Sequence, residues 1–220
     1  MTAVIFDLDG TLVDSVYQHV VAWQAGLRAA GIELAVWRIH RRIGMSGGLL
    51  AHALLREAGR DLDDATLRRV QDVHREEYLA RVGSIRPLPG AVELLGYLTS
   101  EAVPWTVATS GRLTTARPVL DLLPAPGTGL LVTRDDVSRA KPDPDLFIEA
   151  ARRLGQPVED SVIVGDSVWD LLAARRAHAL GVGLLSGGYG RDELQAAGAY
   201  RVYDDPADLL DHLDEVGIRR

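Results

Sequence analysis

The sequence predicts an α/β protein, a Rossmann-like parallel sheet interrupted by a wholly helical insertion. Three observations lead there. Short runs of β-branched and other apolar residues alternate with longer stretches in which apolar residues recur at helical spacing, the pattern of strand–helix–strand units. The short runs are apolar throughout, as strands covered on both faces are. Residues 15–86 contain no such run.

The first strand is expected at residues 2–6. Later strands are expected at 104–108, 129–132, 161–164 and 181–185, with a weaker one at 200–203. Between them the spacing predicts helices at 91–100, 113–123, 143–154 and 168–180. Asp143 and Asp145 place negative charge where the third of these begins, which the helix dipole favours. Gly155 and Gly181 stand just beyond two of the helices, as stops. Inside the insertion, helices are expected at 16–30, 48–58 and 65–82. Arg86-Pro87-Leu88-Pro89-Gly90 reads as the return linker, because proline fixes its own φ and restricts the residue before it. The expected division is residues 1–14 with 87–220 for the sheet domain and 15–86 for the helical one.

Composition removes several chemistries. The 220 residues include no cysteine, so disulfides, thiolate metal sites and cysteine nucleophiles are excluded. There are 31 acidic and 24 basic residues, a net charge of −7, the wrong balance for gripping a phosphate backbone. Only one of the basic residues is a lysine, Lys141, and Ala140-Lys141-Pro142 is not a Walker A sequence. No apolar run approaches the roughly 18 residues that a membrane span needs. Met1-Thr2-Ala3-Val4-Ile5-Phe6-Asp7 lacks the basic start of a signal peptide. A cytoplasmic protein, a monomer or weak homodimer with no nucleic-acid or membrane partner, is expected.

Ligands of an open parallel sheet bind beyond the carboxyl ends of its strands. The first strand is followed by Asp7-Leu8-Asp9-Gly10-Thr11, the second by Thr109-Ser110-Gly111, and the fourth by Gly165-Asp166-Ser167-Val168-Trp169-Asp170. Carboxylates and a hydroxyl pair therefore converge on one rim. Clustered carboxylates repel one another unless a cation neutralises them, and oxygen-only ligands suit Mg²⁺, which favours a few carboxylates with phosphate and water. Lys141 lies between the third strand and its helix, on the same rim. Its compact ammonium is a point charge where an arginine fork would not fit.

These segments resemble the four motifs of the haloacid dehalogenase superfamily. Asp7-Leu8-Asp9-Gly10-Thr11-Leu12-Val13 is similar to the first, Thr109 after Val107-Ala108 to the second, Lys141-Pro142-Asp143-Pro144 to the third, and Gly165-Asp166-Ser167 through Asp170 to the fourth. They occur in order over essentially the whole chain. The helical insertion resembles the family's first type of cap domain, found in phosphoglycolate phosphatases, sugar phosphatases and β-phosphoglucomutases.

The resemblance implies a Mg²⁺-dependent phosphatase acting on a small phosphorylated metabolite. Asp7 would attack phosphorus and form an aspartyl-phosphate. Asp9 would protonate the leaving oxygen and then activate water. The Asp7 carboxylate, the Asp9 backbone carbonyl and Asp166 would hold the metal. Asp170 would support it through water or orient Lys141. Thr109, Ser110, Gly111 and Lys141 would hold the phosphoryl oxygens. His19 and Trp23, four apart on the first insertion helix, match a pair common in sugar-phosphate members, and His19 is a candidate substrate contact. Arg41 and Arg42 precede the flexible stretch Ile43-Gly44-Met45-Ser46-Gly47-Gly48, which is expected to read the leaving group. Arg42 is the candidate contact, and at least one of the two arginines is expected to be plain surface charge. His40, His52, His74, His178 and His212 show no metal-ligand spacing.

Two rival readings stay open. A β-phosphoglucomutase-type phosphomutase fits His19, although such mutases carry a cap arginine after Gly-x-Ser and a cap lysine, and here Gly47 follows Ser46 and the cap has no lysine. A receiver-like binding module would also gather acids, a hydroxyl and a lysine, but receivers are shorter and have no cap. Dehalogenation is disfavoured by Asp9, and phosphonoacetaldehyde hydrolysis by the missing cap lysine.

Overall fold

The computed structural model describes residues 2–59, 63–124 and 131–218. In chain order its main elements are β1 (Ala3–Phe6), α1 (Val16–Ala29), α2 (Val36–His40), α3 (Gly47–Glu57), α4 (Asp64–Leu79), α5 (Ala91–Ser100), β2 (Trp105–Ala108), α6 (Leu113–Leu120), β3 (Leu131–Val132), α7 (Asp145–Leu154), β4 (Ser161–Gly165), α8 (Val168–Arg176), β5 (Leu180–Leu184), α9 (Arg191–Ala197), β6 (Arg201–Tyr203) and α10 (Pro206–Asp211). The six strands form one parallel sheet in the order β3-β2-β1-β4-β5-β6. The order reverses at β1, which is flanked by β2 and β4. Connections leave in opposite directions there and open a crevice beyond the strand ends.

Side chains alternate across this sheet. Val4 and Phe6 of β1, Val107 of β2 and Val162 and Val164 of β4 join one buried cluster with Leu94, Leu95 and Leu98 of α5. Ile5, Ala108 and Ile163 point the other way, into a cluster with Leu146, Phe147 and Ala150 of α7. Both faces are thus covered by helices, which explains why these strands carry no polar alternation.

The insertion has a buried cluster of its own. Val16, Val20, Trp23 and Leu27 make one stripe of α1, at spacings of three and four, and pack with Ile39, Leu50, Leu54 and Val70. At Gly26 the backbones of α1 and α4 meet so closely that a Cβ there would lie 2.5 Å from the Val70 carbonyl oxygen. The two linkers to the sheet run side by side: Asp14 N–H donates to the Arg86 carbonyl, Leu88 N–H donates to the Leu12 carbonyl (both 2.9 Å), and Val13 bridges Pro87 antiparallel.

Several element ends differ from expectation. Gly181 is not a helix stop. The helix α8 ends four residues earlier, His178 makes the left-handed turn at φ 58°, and Gly181 lies inside β5. Its bare Cα lets the sheet approach α8, since a Cβ would come within 3.1 Å of Leu171. The helix α7 begins at Asp145 rather than Asp143, after Pro144. The expected strand at 129–132 is described only over Leu131–Val132, its first two residues lying outside the described ones. The helices α2, α9 and α10 are five to seven residues long, too short for periodicity to reveal. No helix among the described residues is long and apolar enough to cross a membrane.

Candidate active site

The strand β1 delivers Asp7 to the crevice, and its N–H continues the ladder by donating to the Val164 carbonyl (2.9 Å). Asp166 follows β4 directly. Ser167 then caps α8, its N–H (3.1 Å) and hydroxyl (2.5 Å) both donating to one oxygen of Asp170. Carboxylate oxygens of Asp7, Asp166 and Asp170 all lie within 4.8 Å of one another, and all three residues are buried. The Lys141 ammonium, fully buried, pairs with Asp7 and stands 2.7 Å from the second oxygen of Asp170.

Three carboxylates thus share one ammonium, and the balance shows in their proton affinities. Burial pushes the Asp7 carboxyl up to about 7 against the pull of Lys141, with Asp170 adding repulsion. Burial, then the charges of Asp170 and Asp7, push Asp166 well above the carboxylate range. Burial opposes charge on Lys141 too, but Asp170 and Asp7 outweigh it and hold the ammonium protonated. Asp170 spends its oxygens on Lys141 and Ser167 and so fixes the lysine. The remaining deficit of positive charge, in a pocket of oxygen donors, fits a hard divalent cation.

Asp9, two residues from Asp7, leaves this cluster and turns to the helical insertion. Its Oδ1 accepts from the Ser15 hydroxyl (2.5 Å), from His19 Nε2 (3.2 Å) and from the Tyr78 hydroxyl (3.4 Å). Burial alone would raise the Asp9 carboxyl, yet His19 and the hydroxyl of Ser15 hold it below its usual value. The His19 ring stacks on Tyr78 with centroids 3.9 Å apart, and its Nδ1 lies 3.1 Å from Nε2 of His74, which stacks on Trp23 at 4.0 Å. Burial and then the neighbouring charge of His19 hold His74 well below the ordinary histidine value, so it is neutral.

A cavity of about 860 Å³ opens over both aspartates. Thr109, Ser110 and Gly111 line its sheet side. The buried Thr109 hydroxyl accepts from the Gly111 N–H (2.9 Å), while the Ser110 hydroxyl oxygen is buried with no partner among the described residues. His19, Trp23 and His74 line the opposite side with the stretch 43–48. Arg42 is not brought to this cavity. It faces Glu57 at 3.6 Å in a separate cleft of about 310 Å³, and Arg41 pairs with Glu193.

Ser15, His74 and Tyr78 were not singled out from sequence as site residues. His74 and Tyr78 are four apart on α4, as His19 and Trp23 are on α1, and that matched spacing is the one signal the chain offered. Ser15 stands at the N-cap of α1 but makes no capping bond, its hydroxyl going to Asp9 instead.

A family model described as haloacid dehalogenase-like hydrolase matches residues 1–178. The crystal structure of a hydrolase from Pseudomonas syringae is 53% identical with a TM-score of 0.95, covering 98% of this chain and 99% of that one. Hexitol phosphatase A of Escherichia coli K12 is 31% identical over 175 residues, 79% of this chain and 78% of its own. The N-acetylmuramic acid 6-phosphate phosphatase of Pseudomonas aeruginosa is 30% identical over 219 residues, 97% of this chain and 95% of its own.

Proposed function

Because this chain belongs to the haloacid dehalogenase-like hydrolases, we propose that it is a Mg²⁺-dependent phosphatase of a small phosphorylated metabolite, with residues 15–86 as the cap domain over a sheet domain of 1–14 and 87–220. One observation carries the reading. Two aspartates on the same turn after β1 have opposite surroundings: Asp7 sits among carboxylates and an ammonium, and Asp9 is bound by cap groups. The carboxylate beside the ammonium meets the phosphoryl group, and the one bound by cap groups meets the leaving oxygen.

Asp7 is the nucleophile. One of its carboxylate oxygens bonds to phosphorus as the ester oxygen departs, giving an aspartyl-phosphate. Asp9 passes a proton to the departing oxygen and later takes one from the water that hydrolyses the acyl phosphate. The proton returns to the same carboxyl, so the cycle balances. Asp7, Asp166 and the Asp9 backbone carbonyl would hold the Mg²⁺, with Asp170 in support. The ion when bound supplies positive charge against the phosphoryl oxygens and Asp7. Lys141 adds a fixed ammonium beside Asp7, and Asp170 keeps it there. The Ser110 and Thr109 hydroxyls take the remaining phosphoryl oxygens beside Gly111, a purely electrostatic task that dominates phosphoryl transfer.

His19 both holds Asp9 and meets the leaving group. The cavity is near the upper end of the roughly 300–1,000 Å³ of small-molecule sites. Its volume and its stacked imidazole and indole walls favour a sugar- or polyol-sized ester over a two-carbon one. Arg42, held by Glu57, has no part in this reading beyond the cap surface. The protein acts in the cytoplasm, as a monomer or weak homodimer, on a free metabolite rather than a nucleic acid, in keeping with its charge of −7.

The test is phosphate release over a panel of small phosphoesters with and without Mg²⁺, using Asp7→Asn as control. Release that needs Mg²⁺ and vanishes in Asp7→Asn is expected. No release by wild type, or equal release by the variant, would sink the reading.

A further inference from the structure

Asp166 is supported from a direction the substrate cavity does not reach. Its Oδ1 accepts from the buried Thr11 hydroxyl (2.9 Å). Its other oxygen is backed by bare backbone: a Cβ on Gly187 would lie 1.7 Å from Asp166 Oδ2, and one on Gly10 would lie 2.6 Å from it. These two glycines belong to segments tied together, since the Ser186 hydroxyl donates to the Gly10 carbonyl at 2.6 Å. The loop after β5 is therefore a wall against which one carboxylate is pressed, and any movement of Gly187 is felt at Asp166.

That wall is gripped by the helical insertion. His40, the last residue of α2 and buried, has Nε2 2.8 Å from the Gly187 carbonyl oxygen. Its ring is held between Tyr17 and Tyr189, with centroids 5.5 and 5.7 Å away. The next residue continues the grip. The Tyr189 hydroxyl donates to the Arg41 carbonyl (2.9 Å), the Arg41 guanidinium lies 4.2 Å over the Tyr189 ring, and it pairs with Glu193 of α9. None of these groups lines the main cavity. They form a clasp between the insertion and segment 185–193 on the far side of the metal-facing carboxylates.

We propose that His40 is a positioning residue for Asp166, and that docking of the helical insertion and binding of a divalent cation reinforce each other through the loop 185–188. The proposal rests on the reading of Asp166 as a metal ligand. The chain of contacts is short: His40 Nε2 to the Gly187 carbonyl, and Gly187 against Asp166. Coupling between two sites is reciprocal, so whatever His40 adds to ion affinity, the ion returns as tighter docking. The insertion would then close fully only over a metal-loaded site, which ties substrate enclosure to catalytic readiness.

The test is Mg²⁺ binding by calorimetry in the full-length protein, read beside thermal melting with EDTA. His40→Phe keeps a ring between Tyr17 and Tyr189 and loses the nitrogen. It is expected to weaken Mg²⁺ binding by about fivefold or more. His40→Gln, which restores a donor to Gly187, is expected to recover most of that loss. Arg41→Gln, a change at a partly exposed side chain outside the buried clusters, is expected to weaken binding in the same direction by about threefold and decides the matter if the Phe variant does not fold. A lower melting temperature with Mg²⁺ affinity unchanged in His40→Phe and Arg41→Gln would mark the clasp as merely structural and overturn the proposal. If wild type itself binds no Mg²⁺, the metal reading falls first and the proposal with it.

Discussion

Nε2 of His74 lies 3.1 Å from Nδ1 of His19, and His19 presents its other nitrogen to Asp9. The carboxylate proposed as acid and base is thus held by a chain of two imidazoles, one from α1 and one from α4. A neutral His74 satisfies Nδ1 of His19 whether that nitrogen donates or accepts, by carrying its own proton on either nitrogen. His19 therefore keeps its orientation in both protonation states.

This arrangement gives a prediction that depends on the leaving group. Departure of an alkoxide needs a proton from Asp9, whereas nitrophenolate leaves without one. His74→Phe, which keeps a ring against Trp23, is expected to lower kcat/KM about tenfold to a hundredfold on alkyl phosphates. On p-nitrophenyl phosphate it is expected to change kcat/KM less than about threefold, because that ratio reports the transfer to Asp7. Equal losses on both substrates would show that His74 only supports the fold.

Lys141 is buried with its ammonium between Asp7 and Asp170. An arginine keeps the charge but brings a wider planar head into a closed space. Lys141→Arg is expected to cost about 1–3 kcal/mol of stability, leaving a folded protein, and to lower activity about a hundredfold or more. Circular dichroism and phosphate release check the two halves. Near-normal turnover would show that charge alone suffices.

The carboxylate cluster predicts how metal-free stability varies with pH. Asp7 at about 7 and Asp166 well above its usual value bind protons more tightly folded than unfolded. Where the folded state holds more protons, stability falls as pH rises, here from about 4 up to about 7 for Asp7. His74, held low, works in the opposite sense between its folded value and the ordinary one. Asp7's share is therefore the difference between wild type and Asp7→Asn in EDTA. Relative to the variant, wild type is expected to melt progressively lower as pH rises from 5 to 7, and Mg²⁺ is expected to reverse the loss at pH 7. Parallel curves for the two proteins would contradict this.

Gly26 sets the distance between α1 and α4, and so between His19 and His74. A Cβ at this position meets the Val70 carbonyl oxygen at 2.5 Å, a backbone atom that cannot swing away. Gly26→Ala is expected to destabilise by about 1–3 kcal/mol, and by parting the helices to reproduce the leaving-group selectivity of His74→Phe. Thermal melting and the two-substrate comparison test both effects.

Much of this was legible in the chain. The parallel sheet follows from apolar runs without polar alternation, and the insertion from the absence of such runs between 15 and 86. Asp7, Thr109, Lys141 and Asp166 were visible as the residues that follow successive strands, because the end of a parallel strand is a place the sequence can name. Element ends were less legible. Gly181 looked like a helix stop, but sheet-to-helix packing against Leu171 placed it inside β5.

The sequence by itself determined the fold class and which chemical groups reach the crevice, because hydrophobic period and the residues that follow each strand are written locally. The tertiary structure alone decided how those groups are shared. It gave Asp9 to Ser15, His19 and Tyr78, bound Asp170 to Lys141, kept Arg42 with Glu57, and set His40 against the loop behind Asp166. Some of these partners lie far apart in the chain, up to the 147 residues between His40 and Gly187. Their meeting depends on the crossing of helices and the packing of loops, which no local pattern encodes.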